Sequence, residues 1–299
     1  MAIPRNQFID LHVHTTASDG TLKPQEVVAY AYNKGLKAIA ITDHDTIQGV
    51  AEALQAGREV GLEVIPGVEI SVGHSGGELH LLGYLVDINS PVLREGLQQL
   101  QEYREQRNPQ MITKLRNLGI ELTLEEVEAI AVGDIIGRPH FAAVLVEKGI
   151  VQDKQQAFDR YLAHGRPAYV KKEKLTPQQG IQLVLAAGGI PVLAHPKYLP
   201  ESTSPEKLRS LLRELKNMGL KGLEVYYSKH SPEEEQLYRR LAKEEGLLIT
   251  GGTDFHGGNT LEIELGIGLG NLRIPYVLAE RLKTRHQEEL TPAEFNPQA

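Results

Sequence analysis

Seven short strings set imidazoles and carboxylates at recurring places along the chain: His12-Val13-His14, Ser18-Asp19-Gly20, Thr42-Asp43-His44-Asp45, Gly67-Val68-Glu69, Glu78-Leu79-His80, Ala194-His195-Pro196 and Thr253-Asp254-Phe255-His256. In a strand, residues i and i+2 point to the same face, so His12 and His14 can reach one ion. Alone, such a pair reads first as two histidines at a strand end. Together the strings offer nine candidate metal ligands: His12, His14, Asp19, His44, Glu69, His80, His195, Asp254 and His256. Imidazole combined with carboxylate suits Zn, Mn or Fe. Nine side chains exceed one coordination shell, whereas three or four per ion with one bridging carboxylate suit two or three ions. Ions clustered in this way make hydroxide available near neutral pH and clamp phosphoryl oxygens, which is what phosphate-ester cleavage requires.

The elements that must carry these strings alternate. Period-two and continuous apolar patterns predict strands over 8–14, 38–42, 63–66 with 67–72, and 78–86, with helices over 24–33 and 46–60 between them. Each string then falls at or near the C-terminal end of a strand, the end that carries the active site in parallel barrels. From 91 to 168 the pattern is helical only, over 91–118, 123–130, 138–148 and 154–164. Alternation resumes with helices over 176–187, 205–218, 232–245 and 274–284 and strands over 190–194, 222–226 and 247–250, before a polar tail from about 284 that reads as frayed. About seven strands, read as parallel, predict an α/β barrel of the TIM type with one unit fewer; a doubly wound sheet is the alternative. The expected domains are a barrel, 1–90 with 169–299, and an all-helical insertion, 91–168.

Composition narrows the function classes. The 299 residues are 41% hydrophobic and 24% charged, ordinary for a globular enzyme. Cysteine is absent, which excludes thiolate catalysis, cysteine-ligated zinc and iron–sulfur clusters. The formal charge of −7 argues against an extensive duplex nucleic-acid surface but leaves room for a small phosphorylated ligand held locally. No apolar run approaches the ~18–20 residues of a membrane span, and residues 1–6 lack the apolar segment of a signal peptide, so a cytoplasmic location is expected.

The strings, in this order, resemble the PHP (polymerase and histidinol phosphatase) family over residues 9–86 and 175–270. The helical insertion with its Gly137-Arg138-Pro139-His140 resembles the branch of stand-alone nucleoside 3′,5′-bisphosphate phosphatases and 5′→3′ exoribonucleases. The resemblance implies a distorted seven-stranded (β/α) TIM-like barrel, the PHP fold, with the insertion covering the site. It implies a trinuclear centre: His12, His14, Glu69 and Asp254 on a first ion, bridging Glu69 with His80 and His195 on a second, and Asp19, His44 and His256 on a third. Some members carry His where this chain has Asp19, and a carboxylate there favours harder ions such as Mn²⁺, with Zn²⁺ or Fe²⁺ as alternatives. The implied reaction is attack of metal-bound hydroxide on the 3′-phosphate of a nucleoside 3′,5′-bisphosphate or on short 5′-phosphorylated single-stranded RNA. His195, His256, Asp43 and water are the candidates for proton donor. Arg138, His140, Lys171, Lys172 and Lys197 are candidate phosphate contacts. A histidinol phosphatase or other small-molecule phosphomonoesterase, and a non-catalytic metal-binding accessory module, are the competing functions. Asp45 reads as a helix N-cap, Asp10 as support for a ligand, Tyr226 and Tyr227 as rim packing or base stacking, and His74, His164, His230 and His286 as surface residues.

Overall fold

The computed structural model describes residues 7–74, 77–131, 136–171 and 174–290. One seven-stranded sheet follows chain order: β1 (Ile9–Val13), β2 (Ala38–Ile41), β3 (Glu63–His74), β4 (Gly77–Tyr84), β5 (Ile190–Leu193), β6 (Gly222–Tyr227) and β7 (Leu248–Gly252). Just past the end of β7, a parallel bridge from Phe255 to Val13, the last residue of β1, draws the two edges together into a nearly closed barrel. β2 shows why the strands are so apolar. Ala38 and Ala40 turn into a cluster with Ile9, Leu11, Ile65, Tyr84 and Val192, while Ile39 and Ile41 pack against α1 (Pro24–Asn33) and α2 (Val50–Val60). A strand buried on both faces has no polar side to spare. α10 (Val277–Leu290) inserts Leu278, Ala279 and Leu282 into the cluster at the end where β1 begins, opposite the predicted site. This helix continues past the expected end at 284, to Leu290.

Two expectations are corrected. The strands are not all parallel: β4 pairs antiparallel with both β3 and β5, and the remaining pairs are parallel. β3 passes into β4 with His74 paired to Gly77, and so short a connection between neighbouring strands must reverse the chain. His80 therefore lies in the N-terminal half of its strand, paired with Ser71, and the reversal is what brings it to the same rim as the other ligand candidates. Asp45 is not a helix N-cap. α2 starts only at Val50, and Asp45 sits in left-handed backbone (φ 53°) with its carboxylate accepting from Ser71 N at 2.9 Å.

The remaining helices over the first part of the insertion region are α3 (Pro91–Asn117), α4 (Leu124–Ile130), α5 (Arg138–Glu147) and α6 (Lys154–Ala157), followed by a π-helical turn, Phe158–Leu162. The Ser90 hydroxyl caps α3, accepting from Leu93 N, and Pro109 lies within the continuous helix. Leu93, Leu97 and Leu100, before that proline, belong to the barrel's outer core with α7 (Pro177–Ala186), α8 (Pro205–Met218) and α9 (Pro232–Glu244). Met111, Ile112 and Leu115, after it, belong to a separate core with Val127, Phe141, Leu145 and Leu162. The apolar packing thus changes hands inside α3, well beyond residue 91. Among the described residues no helix is long and apolar enough to cross a membrane.

Candidate active site

The rim where β1 and β7 finish is built by close approach. A Cβ on Gly252 would lie 2.2 Å from Cβ of His12, so only glycine lets β7 close against β1 there. Asp254 N donates to His12 O and His14 N to Phe255 O, at 2.9 and 3.0 Å. Asp254 and His195 both adopt positive φ, 60° and 22°, conformations that cost ~1–3 kcal/mol each and persist where the surroundings impose them.

Nε2 of His12 lies 3.3 Å from both Glu69 Oε2 and Asp254 Oδ1, and Nε2 of His14 lies 3.2 Å from the same two oxygens. Four tetrahedral donors ~2.0–2.2 Å from one cation would stand about 3.3–3.6 Å apart, so these spacings fit a shared ion. The orphaned atoms agree: His12 Nε2, both ring nitrogens of His14, His44 Nδ1 and Glu69 Oε2 are buried without a hydrogen-bond partner. Such atoms are costly unless a cation satisfies them. A second group joins Glu69 to His44 Nδ1 (3.0 Å) and His80 Nδ1 (2.8 Å), with His195 Nε2 also 3.0 Å from Glu69. A third gathers Asp19 with His14, His44 and His256, with His256 Nε2 3.2 Å from Asp19. All nine candidate ligands thus meet at one rim. His44 reaches Glu69 with one nitrogen and lies 4.0 Å from Asp19 with the other, and so stands between two groups where the resemblance gave it to one.

Buried carboxylates hold these ligands. Glu224, fully buried in β6, lies 2.9 Å from His12 Nδ1 and accepts from His195 N at 2.8 Å. With Nδ1 as the N–H, Nε2 of His12 is free to face an ion. His256 is set the same way, its Nδ1 2.9 Å from Asp254 O. Asp10 accepts from Thr253 N, Thr253 Oγ1 and Gly266 N, fixing the turn that carries Asp254. Asp43 accepts from Thr15 N, Thr15 Oγ1 and Ser18 Oγ, so its carboxylate is consumed in anchoring the loop that leads to Asp19. This is the place of a positioning residue and not of the proton donor considered from the sequence. Burial disfavours a charge on His14 and His80, but the carboxylates of Asp254 and Glu69 beside His14, and of Glu69 and Glu78 beside His80, outweigh it and raise both to about 10. His44, dominated by burial, falls to about 4. Burial also opposes charge on Glu69 and Asp254, yet the surrounding imidazoles hold both well below the usual carboxylate range.

The PHP domain model matches residues 10–250. The chain belongs to the PHP family. It is 39% identical over 247 residues to a Haemophilus influenzae protein named 5′-3′ exoribonuclease, covering 83% of this chain and 89% of that one. It is 34% identical over 250 residues to a Chromobacterium violaceum 3′,5′-nucleoside bisphosphate phosphatase, covering 83% and 87%. Among solved structures, a Bifidobacterium adolescentis protein that bears the provisional description metal-dependent phosphoesterase superposes with a TM-score of 0.81 at 30% identity, covering 95% of this chain and 98% of that one. This PHP chain is accordingly a metal-dependent hydrolase of phosphoric ester bonds.

Beside these ligand groups opens a cleft of about 190 Å³, lined on one side by Arg107, Gly137, Arg138 and Phe158. Arg138 lies in it with Nη2 3.4 Å from Glu78 and with the rings of Phe158 and Tyr169 5.9 and 5.8 Å away. Lys174, which sequence reasoning missed, meets the same Glu78 carboxylate at 2.8 Å. Burial opposes charge on Glu78, but His80, Lys174 and Arg138 hold it well below the usual range. Buried Arg107 also lines the cleft and donates to Asn108 Oδ1.

The other described candidate contacts do not line this cleft. His140 is buried and its Nδ1 accepts from Gly137 N, so it caps its own helix at the cleft's edge. Lys171 is exposed, and Lys172 lies outside the described residues. Lys197 is tied to Glu234 and to the carbonyl of Lys229. Of the expected surface histidines, His164 is exposed, but His230 is buried between Tyr227 and Tyr238 with Nδ1 on Val225 O. His74 pairs with Glu201 at 2.8 Å.

Proposed function

We propose that this enzyme hydrolyses the phosphoester on the 3′ oxygen of a nucleoside that also carries a 5′-phosphate: nucleoside 3′,5′-bisphosphates such as adenosine 3′,5′-bisphosphate, and short 5′-phosphorylated RNA. The observation that carries this reading is the paired Arg138 and Lys174 on Glu78, next to His80 and so one cleft away from the metal centre. A small monoester such as histidinol phosphate needs no second anion anchor, whereas a bisphosphate does. The names of the two curated relatives agree with it.

The three ligand groups suit two or three divalent ions, and the carboxylate at Asp19 favours Mn²⁺ over Zn²⁺ or Fe²⁺. When bound, such ions supply hydroxide for in-line attack and offset the charge that builds on the phosphoryl oxygens. The chain's own residues supply position. Glu224 fixes the tautomer of His12, and Asp43 holds the loop before Asp19. Arg138 and Lys174 grip the 5′-phosphate, exchanging Glu78 for it, with guanidinium geometry suited to two phosphate oxygens. The bond between phosphorus and O3′ breaks, and the proton needed at O3′ comes from water or from His195 or His256 when either is not ligating. We place the reaction in the cytoplasm on composition.

Phosphate release from adenosine 3′,5′-bisphosphate and from histidinol phosphate, each with Mn²⁺, tests the reading. Preference for the bisphosphate, with KM raised by Arg138→Met, supports it. Rapid cleavage of histidinol phosphate with no turnover of the bisphosphate sinks the substrate reading and leaves the metal centre intact.

A further inference from the structure

The cationic cleft is not alone in opening onto the metal centre. A second cleft, of about 480 Å³, shares His44, Glu78, His80 and Phe158 with the first and runs out past Tyr198, Tyr227 and Lys229. Its chemistry differs. Tyr198 is 55% exposed, yet its ring orientation is set by T-shaped contacts with His195 (5.5 Å, 69°) and Tyr227 (6.0 Å, 88°), and its hydroxyl lies 3.4 Å from that of Tyr227. Tyr227 in turn donates to Asp254 at 3.0 Å, so this aromatic wall is continuous with the ligands. Lys229 lines the same cleft, two-fifths exposed, with only a loose 3.8 Å approach to Glu262.

We propose that this second arm is a subsite for the nucleotide on the far side of the scissile phosphate, with its base stacked on Tyr198 and its following phosphate near Lys229. The proposal rests on the function given above. In that hydrolysis water adds OH to phosphorus, the P–O3′ bond breaks, and O3′ takes the proton. The first nucleotide leaves with its 5′-phosphate, held in the cationic arm. The attacked phosphorus stays on O5′ of the second nucleoside, which must therefore extend from the centre along a path other than the cationic arm. A rigid, exposed aromatic ring with a cation beyond it is the surface that single-stranded nucleic acid recognises without sequence preference.

The test compares kcat/KM for a 5′-phosphorylated diadenylate with that for adenosine 3′,5′-bisphosphate in the Mn²⁺-loaded wild type, Tyr198→Ala and Tyr198→Phe. Loss of one stacking platform lowers the dinucleotide-to-bisphosphate ratio by about 5- to 150-fold in Tyr198→Ala, and the ring retained in Tyr198→Phe preserves it. Because Tyr198 touches His195, damage to the centre lowers both rates and cancels in the ratio. An unchanged ratio in Tyr198→Ala overturns the subsite while the function stands; a wild type that cleaves only the bisphosphate overturns the subsite and the RNA part of the function, and leaves the bisphosphatase part. A wild type that cleaves neither overturns the function and the subsite with it.

Discussion

Replacing Glu224 by glutamine keeps the volume of a fully buried side chain and removes its charge. The carboxylate serves two donors, Nδ1 of His12 at 2.9 Å and the backbone N–H of His195 at 2.8 Å. A glutamine has one oxygen. Either it keeps one donor and sets its NH₂ against the other, or His12 shifts its proton to Nε2 and accepts from the amide. The second outcome places a proton on the nitrogen that faces Glu69 and Asp254. A hydrogen bond to a charged group is worth ~1.5–3 kcal/mol, and loss of a group that orients a metal ligand typically costs about 10- to 100-fold in affinity. We therefore expect Mn²⁺ affinity, measured by competition with a chromogenic chelator, to fall about 10- to 100-fold. Under excess Mn²⁺ the ion-dependent gain in stability falls by about 1.4–2.7 kcal/mol, read from thermal or urea unfolding with and without the ion. Glu224→Gln with wild-type affinity would refute the claim that this carboxylate sets the tautomer of His12.

Arg138→Met should raise KM for adenosine 3′,5′-bisphosphate by about 10- to 100-fold, the worth of a charge-assisted contact, with a smaller change for a monophosphate ester lacking the 5′-phosphate; equal changes for both would contradict a phosphate anchor. Asp43→Asn should weaken the Asp19 group by roughly tenfold, seen as loss of the weakest-bound ion in a titration followed by mass spectrometry, because the 15–18 loop loses an anionic acceptor. Gly252→Ala should destabilise the metal-free protein by about 1–3 kcal/mol in urea unfolding, since its Cβ would lie 2.3 Å from His12 N as well as against His12 Cβ. Metal loading should release protons. His14 and His80, raised to about 10 before ions bind, contribute stability that is full below their unfolded value near 6.5 and is lost as pH climbs through about 10, whereas ions need the neutral imidazoles. Apparent Mn²⁺ affinity should therefore rise from pH 6 to pH 9, and calorimetry in two buffers of different ionisation heat should count protons leaving; no buffer dependence would contradict it.

The gathering of the nine side chains at one rim was legible because polar residues recur where apolar strands end, and His12, His44, Glu69, His195 and Asp254 each interrupt or terminate such a run. Strand direction was not, because period-two patterning is the same in both senses; only the shortness of the link between His74 and Gly77 requires β4 to reverse. Glu224 had a signal that went unused: it stands in the otherwise apolar Gly222–Tyr227 run, where a buried carboxylate needs partners. Lys174 had none, since a lysine beside two others in sequence looks like any solvated run until the fold sets it against Glu78. His140 misled because a Gly-Arg-Pro-His string puts an imidazole at a helix start, where it can serve the helix's own free N–H as well as a ligand. Arg107 was hidden within a long charged helix and is identified only by its burial beside Pro109.

The central claim is that one rim gathers nine side chains into a centre for divalent ions that cleaves phosphoesters. The measurement that bears on it most directly is the metal content of the purified protein, equilibrated with Mn²⁺ and counted by plasma mass spectrometry, alongside release of 3′-phosphate from adenosine 3′,5′-bisphosphate. Two or three ions per chain in the wild type, with ions and turnover lost together in Glu69→Ala and turnover recovered when chelated wild type is reloaded, are the predicted results. Undiminished turnover in the chelated protein, or in Glu69→Ala, would contradict the account.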